Sequence, residues 1–265
     1  MKANHRKTAI TKVDEGQILL RGYDIAEIAG RISWGSAVYL TLTGELPEDS
    51  VGRIMDAILV SVIDHGPTPV STSATCIVAS AGASLSASVA AGILGIAQHH
   101  GGAIEDCMTV LEECIGLNLS AAEAAASIAQ RYQERKKRIP GFGHRQHATD
   151  PRTTRLFELA TAEGFAGKYV NQARELESVL SKAKSKPVPI NADGAIAALL
   201  CEIGFPKKAA NGIFMIARVP GLIAHSIEEQ SRNAPLLSLD SESYEYDGPA
   251  EREIPHSTPQ RKKKQ

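Results

Sequence analysis

The sequence predicts an all-α fold, and three observations support this prediction. Apolar residues recur at helical spacing through most of the 265 residues, strand-like alternation is confined to two short runs near the start, and glycine, proline or serine separates the periodic segments. In the stretch 47–64, Pro47, Glu48 and Asp49 make a favourable first turn. The apolar residues that then share one helix face are Val51, Ile54, Met55, Ile58, Val62 and Ile63.

The predicted elements begin with a small hairpin. Residues 8–10 and 18–20 are β-branched or apolar, and Asp14, Glu15 and Gly16 supply a turn between them. Helical periodicity predicts every later element. These helices cover residues 34–43, 47–64, 71–81, 85–97, 102–115, 121–136, 151–163, 168–182, 192–203 and 207–232.

Residues 66–98 contain no charged side chain, which raises the question of a membrane span. Ser, Thr and Pro are frequent there, Gly82 and Ser84 divide the segment, and large apolar residues are too few for a span. Two buried helices are therefore predicted, with Ala, Ser and Gly surfaces that let neighbouring helices approach closely. Such surfaces suit either the core or a subunit interface, and the sequence leaves both open.

Breaks between helices predict the domain organisation. They fall at Gly116, at the PGFG run, at 185–189 and at 204–206. We predict the first part of a large helical domain over residues 1–112, a small helical domain over 113–206, and a return helix of the large domain over 207–235. From residue 236 the periodicity gives way to Ser, Asp, Glu and Pro, and the chain ends in QRKKKQ, so 236–265 is predicted to be a partly flexible tail.

Composition limits the kinds of partner. The net charge of -1 and the pI near 6.7 provide no global basic field, so neither nucleic acid nor a membrane is an expected partner, and an anionic ligand must be bound by locally placed cations. Cys76, Cys107, Cys114 and Cys201 have no CxxC spacing and lie in apolar helical patterns, which is typical of reduced, buried thiols. Because the first residues also lack the apolar block of a signal peptide, we expect a cytoplasmic protein.

Histidines stand beside glycines at three places. His65 lies in DHGP, His99 and His100 lie in HHGG, and His144 and His147 lie in PGFGHRQHATDPR. Each one alone fits a capping or surface histidine, and each also fits a site where backbone approaches a ligand. A zinc site is disfavoured, because no HExxH or HxH pair exists and no carboxylate falls at ligand spacing. No metal site is predicted.

Three charged residues occupy unusual positions. In Asp150-Pro151-Arg152 a helix starts, and the arginine opposes the helix dipole unless an anion lies nearby; a solvated arginine is the alternative. Asp193, in NADG, also lies at a helix start, where capping alone would explain it. Arg218 lies within the apolar run GIFMIARVPGLIAH, so it needs an anionic partner or a water-filled cleft.

Taken together, these blocks resemble the citrate synthase superfamily. Each block alone is a weak signal, but their order along the chain is specific. The blocks are LLRGYDIAEIA, YLTLTGELP, DHG, HHGGAIED, GFGHR with DPR, NADG and GIFMIARVPGLIAHSIEEQ. The resemblance implies an all-helical fold with a large domain and a smaller inserted domain, and a homodimer or higher homo-oligomer whose sites lie in the interdomain cleft.

The resemblance also implies the site residues, position by position. His100 matches the histidine that hydrogen-bonds the thioester or enol oxygen, His144 the one that contacts the oxaloacetate carbonyl, and Asp193 the carboxylate that moves the proton on the acetyl carbon. These types suit the chemistry, because an enol intermediate requires proton transfer at carbon and stabilisation of the oxygen. The implied ligands of the substrate carboxylates are His65, Arg152 and Arg218, with Arg232 as the candidate for an arginine contributed by a partner subunit.

A coenzyme A thioester is the implied substrate, and no permanently bound cofactor is expected. The backbone against which the CoA adenine would rest is formed by Ile139, Pro140, Gly141, Phe142 and Gly143. Lys184 and Lys186 match loosely as ligands of the CoA phosphates.

The resemblance is not to ordinary citrate synthases throughout, since this protein is expected to be without their long amino-terminal helical region. DHGP, NADG and NGIF resemble citryl-CoA lyases and the lyase module of ATP-citrate lyase, although His100 is similar to the synthases. The predicted function is therefore that of a citryl-CoA lyase, which cleaves citryl-CoA to acetyl-CoA and oxaloacetate. A short citrate or 2-methylcitrate synthase and a non-catalytic CoA-binding subunit remain as alternatives.

Overall fold

The fold is seen in a computed structural model that describes residues 6–98, 100–144, 148–237, 247–248 and 250. Within these residues, α-helices form most of the structure, together with one small sheet and one 3-10 turn at Lys207–Ala209. The helices are α1 Ile25–Ile28, α2 Trp34–Thr43, α3 Asp49–Ser61, α4 Val70–Ser80, α5 Leu85–Leu94, α6 Ala103–Gly116, α7 Ala121–Glu134, α8 Pro151–Ala162, α9 Lys168–Lys184, α10 Ala192–Glu202 and α11 Ala210–Arg232.

The predicted all-α class and the predicted helices are confirmed, although the helices predicted over 47–64 and 85–97 are shorter, at Asp49–Ser61 and Leu85–Leu94. The short helix α1 was missed, because its four residues are too few for a periodic pattern. The last predicted helix starts at Ala210, since residues 207–209 after Pro206 form a 3-10 turn instead. Elsewhere the helix ends follow ordinary caps, such as the reciprocal pair of Ser120 and Glu123 at the start of α7.

The predicted hairpin exists, but its first strand was placed wrongly. Strands β1 Thr11–Asp14, β2 Gln17–Leu20 and β3 Tyr23–Asp24 form an antiparallel sheet in the order β1-β2-β3. Gly16 has a φ of +76° in the turn, and the pairing of Asp14 with Gln17 makes residues 11–14, not 8–10, the first strand. The third strand was not predicted.

The core is organised around α10, which packs against α6, α8 and α9. Every residue from Ala195 to Leu200 is completely buried, so this helix is apolar on all sides. Its amino terminus carries Asp193, and the packing therefore fixes the position of that carboxylate.

The uncharged segment forms α4 and α5, which pack against each other and against α11. A Cβ at Gly92 would collide with Thr75 Oγ1, so the small residues allow the close approach that the sequence suggested. The outer faces are different, because Val70, Ile77 and Leu94 are 60%, 45% and 82% exposed. Within the described residues, the segment is thus part of the core on one side and an exposed apolar surface on the other.

One described helical segment, Lys207–Arg232, is long and apolar enough to cross a membrane by length and composition alone. Core helices of folded domains meet the same criterion, and this one contains the buried Arg218 and packs against α4 and α5. The predicted domain boundaries stay predictions. The tail at 236–265 lies largely outside the described residues.

Candidate active site

Asp150 and Arg152 form a two-pronged ion pair at the start of α8. Arg152 Nε donates to Asp150 Oδ1 at 3.0 Å and its Nη2 donates to Oδ2 at 2.7 Å. Burial alone would raise the pKa of the Asp150 carboxyl, but the hydrogen bonds and charge of Arg152 hold it below its ordinary value. The expected anion beside Arg152 is therefore Asp150 itself. Because 23% of the Arg152 side chain stays exposed, its guanidinium can still reach a ligand.

The same carboxylate joins α8 to α10. Asp150 is completely buried, and its Oδ2 accepts a hydrogen bond from the backbone N–H of Ala192 at 3.2 Å. The helix start that carries Arg152 and the one that carries Asp193 are thus held together by one side chain. The sequence suggested Asp150 only as a cap, which it also is.

Asp193 does not cap α10, so the capping interpretation was wrong. Asn191 is the cap, since its Oδ1 accepts from Gly194 N at 3.1 Å. Asp193 lies in the first turn, half-buried, and burial raises the pKa of its carboxyl, although the charges of Arg152 and Arg218 act in the opposite direction. A carboxyl whose pKa is raised holds its proton more readily than an ordinary aspartate, which suits a group that transfers protons.

The PGFG loop lies directly on the start of α10. Gly141 O accepts from Asn191 N at 3.1 Å, and Asn191 Nδ2 donates to Gly143 O at 3.1 Å. Gly141 has a φ of +82°, and a Cβ on it would lie 2.8 Å from Gly194 Cα, so only glycine fits there. This contact places His144, the next residue after the loop, beside the helix that carries Asp193.

The other residues of the predicted CoA loop differ in how deeply they are buried. Ile139 is buried, Pro140 is half-buried, and Phe142 is half-buried and pairs through a β-bridge with Ile190. The loop therefore has a fixed backbone. Its contact with an adenine stays a prediction.

His100 is held by contacts from α4 and α11. Its Nε2 shares a hydrogen bond of 2.8 Å with Ser71 Oγ, and its ring meets the edge of Phe214 with centroids 5.5 Å apart. Burial lowers the pKa of His100, and the charges of Arg218 and His65 lower it further, so the imidazole is neutral at pH 7. Because Nε2 is occupied, Nδ1 is the ring nitrogen that a ligand oxygen could reach. His99 lies outside the described residues.

Arg218 is the largest completely buried polar side chain of the described chain, at 2% exposure. Its Nε donates to Val62 O at 3.0 Å and its guanidinium stands 4.9 Å from the centre of the Phe214 ring. Nη1 has no hydrogen-bond partner among the described residues, and burial lowers the pKa of the group. The sequence required an anion or a cleft for this arginine, and the unpaired nitrogen is a donor ready for a carboxylate.

His65 and His144 complete the cluster. Their rings meet edge to face with centroids 6.3 Å apart. Burial lowers the pKa of His65, the charges of Arg152, Arg218 and His144 lower it further, and only Asp150 opposes them. His65 thus lies within electrostatic reach of both arginines. His147 lies outside the described residues.

The structure therefore brings six of the seven predicted catalytic and carboxylate-binding residues into one electrostatically connected cluster. They are His65, His100, His144, Arg152, Asp193 and Arg218. Two arginines suit a ligand with several carboxylates, while imidazoles and the half-buried carboxyl of Asp193 can transfer protons. Among the described residues, no group of three or more His, Cys, Asp or Glu side chains could hold a metal ion.

The remaining candidates do not join this cluster within the chain. Arg232 ends α11, is paired with Glu228 at 2.6 Å and keeps 75% of its side chain exposed. Lys184 and Lys186 are exposed at the end of α9 and just beyond it. A cross-subunit role for Arg232 and phosphate contacts for the lysines stay predictions.

Three residues that support the cluster were not predicted from the sequence. Ser71, Asn191 and Phe214 each position a member of the cluster, as described above. Asn191 could have been found from its place at a helix start, where Asn is favoured. Ser71 and Phe214 look like ordinary core residues, since their partners are distant along the chain.

Comparison with known proteins shows similarity over almost the whole chain. Residues 47–237 match the family described as "Citrate synthase, C-terminal domain". A structure of citryl-CoA lyase from Hydrogenobacter thermophilus is 42% identical, with a TM-score of 0.86 over 94% of this chain and 97% of that one.

Two curated relatives are similar over a smaller share of their own length. ATP-citrate synthase beta chain protein 1 of Arabidopsis thaliana is 30% identical over 202 residues, covering 69% of this chain and 32% of that protein. Citrate synthase of Deinococcus radiodurans is 29% identical over 250 residues, covering 88% of this chain and 60% of that protein. The chain thus spans about a third of the length of the plant relative.

Proposed function

The chain belongs to the citrate synthase family of enzymes, and from this premise we propose that it is a citryl-CoA lyase. The observation that carries the proposal is the cluster itself, in which a carboxyl with a raised pKa and a neutral imidazole stand with two arginines. The similarity to the Hydrogenobacter lyase over nearly the full length of both chains supports the same activity.

The citryl group would be bound through its carboxylates. Arg218 would pair Nη1, which has no hydrogen-bond partner in the described part of the chain, with one of them, in a dry environment where such a bond is strong. Arg152 is oriented by Asp150 and would bind a second carboxylate with its exposed portion, with His65 beside it. These contacts would fix the carbon–carbon bond relative to the proton-transfer groups.

Cleavage would proceed in two steps. His144 would take the proton of the tertiary hydroxyl, which becomes the carbonyl of oxaloacetate, while the electron pair of the broken carbon–carbon bond passes to the thioester as an enolate. His100 would stabilise the enolate oxygen, and Asp193 would give its proton to the carbon, which yields acetyl-CoA. The raised pKa of Asp193 suits this task, because a more weakly acidic carboxyl carries its proton more often at neutral pH.

The thioester would extend along the PGFG loop. The backbone of that loop is fixed by Asn191 and Pro189, so it can serve as a flat contact for the adenine. Lys184 and Lys186 would reach the phosphates from the end of α9. Coenzyme A is a substrate in this proposal and not a resident cofactor.

We also propose a cytoplasmic homodimer or higher homo-oligomer. The outer faces of α4 and α5 expose Val70, Ile77, Leu85 and Leu94, which a second copy would cover. Arg232 would then be a residue through which one subunit reaches its partner.

Two reactions separate the lyase from its alternatives. A synthase hydrolyses the citryl thioester and releases free thiol, whereas a lyase leaves CoA as a thioester. We expect the purified protein to convert citryl-CoA to acetyl-CoA and oxaloacetate, with acetyl-CoA plus oxaloacetate yielding no rapid release of CoA. Three mixtures are compared: citryl-CoA alone, acetyl-CoA plus oxaloacetate, and propionyl-CoA plus oxaloacetate. In each, the thioester is followed by its absorbance and the released CoA by its free thiol.

The same assays decide the alternatives. Rapid thiol release from acetyl-CoA or propionyl-CoA with oxaloacetate, without cleavage of citryl-CoA, would replace the lyase by a citrate or 2-methylcitrate synthase. Binding of CoA thioesters with no turnover in any mixture would replace it by a non-catalytic subunit.

Removal of the Ser71 hydroxyl tests how His100 is oriented. We expect Ser71→Ala to lower kcat for cleavage about tenfold, because His100 loses the hydrogen bond that fixes its ring, while the free energy of unfolding changes by no more than about 1 kcal/mol. Steady-state kinetics and urea unfolding measure the two effects. Ser88→Ala is the matched control. The Ser88 hydroxyl is also buried, but it donates a hydrogen bond to the backbone oxygen of Ser84 at the start of its own helix. Equal kcat in the two variants would exclude the role of Ser71.

A further inference from the structure

One face of α11 supports the backbone segment that carries His65. Arg218, Gly221 and His225 lie at positions i, i+3 and i+7 of this helix, which places them on the same side. Arg218 Nε donates to Val62 O at 3.0 Å. A Cβ on Gly221 would lie 2.5 Å from Ile63 O, so the segment rests directly on the helix backbone. The third position, His225, has no role in the proposed reaction.

His225 contacts the carboxylate of Asp64, the residue before His65. Its Nε2 lies 3.1 Å from Asp64 Oδ1, and the side chains are 16% and 38% exposed. Asp64 Oδ2 accepts from Gly66 N at 2.8 Å. Burial alone would raise the pKa of Asp64, but hydrogen bonds from the backbone of Gly66 and His65, together with His225, lower it. The ionised carboxylate therefore closes the turn at whose centre His65 stands.

His65 itself depends on this turn for its direction. The residue is exposed, and its ring contact with His144 is edge to face at 6.3 Å, which restrains it weakly. The path from the rigid helix to the ring thus runs from His225 to Asp64 and from Asp64 to the backbone of His65. A shift of the Asp64 carboxylate would redirect the imidazole.

We propose that His225 is a positioning residue that holds the turn formed by Asp64, His65 and Gly66, so that His65 faces the carboxylate site. The inference rests on the proposed function in one respect, namely that the ligand of His65 is a substrate carboxylate. His225 acts through Asp64 and does not touch the reacting atoms.

The chain offers matched variants, because the contact uses Nε2. In His225→Gln the amide nitrogen reaches about as far as Nε2, whereas in His225→Asn the same amide is one methylene shorter. We expect His225→Asn to raise KM for citryl-CoA about tenfold with kcat within about twofold of the wild type, and His225→Gln to stay within about threefold in KM. KM is expected to change without kcat because His65 binds the ground state of the substrate and its transition state equally. Equal KM values for the two variants would overturn the inference.

A double variant separates positioning from a general structural effect. Once His65 is replaced, the turn has nothing left to orient, so His65→Ala/His225→Asn should show the KM of His65→Ala alone. If His225 instead stabilised the fold generally, the two increases in KM would multiply, and that result would refute positioning.

A spectroscopic measurement does not depend on turnover. The ring C–H signals of His65, assigned by comparison with His65→Ala, should move in His225→Asn and stay close to their wild-type positions in His225→Gln. Unmoved signals in His225→Asn would refute the inference even in an active enzyme. A wild type that fails to cleave citryl-CoA would instead refute the proposed function, and the signals would still decide the role of His225.

Discussion

Asp193→Asn is expected to lower kcat for citryl-CoA cleavage by about 10³-fold, within the range that a positioned proton-transfer group supplies. Asn fills the same volume and can accept or donate hydrogen bonds, but it cannot give a proton to the enolate carbon. Substrate binding should change little, because the carboxylate ligands His65, Arg152 and Arg218 are untouched. Steady-state kinetics and calorimetric binding of a CoA thioester measure the two quantities.

The same variant should not lose stability. Burial raises the pKa of Asp193 above its ordinary 3.8, so the folded state disfavours the ionised carboxylate. Protonated Asp193 therefore contributes its full stabilisation of the fold below pH 3.8, and this contribution is lost as the pH rises through the pKa of Asp193 in the folded state. At pH 7 the free energy of unfolding of Asp193→Asn should therefore equal or exceed that of the wild type, and the difference should shrink as the pH falls towards 4.

Asp106→Asn is the matched control for both measurements, since Asp106 is an exposed acid in the first turn of α6. It should leave turnover unchanged. Cleavage by Asp193→Asn at the wild-type rate would remove Asp193 from the mechanism. A large loss of stability at pH 7 would show that its ionised form is favoured by folding.

The helices could be predicted because their information is local. The helix Trp34–Thr43 was predicted with its observed bounds, since an apolar face, a preceding Ser33 and a following Gly44 all lie within a few residues of it. The strand register could not be read in the same way. The register depends on which residue pairs with Gln17 across the turn. Residues 8–10 and residues 11–14 both contain β-branched side chains, so the local pattern does not distinguish between them as the first strand.

The site shows the same division between local and distant information. Blocks around His65, His100, His144 and Asp193 could be recognised along the chain, but their contacts could not. Asp150 was assigned a cap at α8, and its second task at Ala192 arises only because α10 folds against α8. Asp193 was similarly open to a capping role until Asn191 was seen to occupy that position.

Arg218→Met is expected to separate stability from activity. We expect kcat/KM for citryl-CoA to fall by about 10²- to 10³-fold, because a buried substrate carboxylate would lose its partner. Arg218 is 2% exposed and its Nη1 has no hydrogen-bond partner among the described residues, so the fold bears the cost of a desolvated charge. Met keeps an unbranched apolar stem, and the free energy of unfolding should rise by about 1 kcal/mol, after the loss of the hydrogen bond to Val62 O is subtracted.

Thermal unfolding without oxaloacetate measures the change in stability, and thermal unfolding with oxaloacetate measures the loss of ligand binding. The ligand should raise the Tm of the wild type, because it binds only the folded state, and it should leave the Tm of Arg218→Met nearly unchanged. Arg53→Met is the control, since that arginine is 58% exposed and paired with Glu163, so its loss should reduce stability slightly without affecting the response to ligand. An Arg218→Met protein that is less stable than the wild type would show that the buried charge is already compensated in the ligand-free fold. One that still responds to oxaloacetate would remove Arg218 from the carboxylate site.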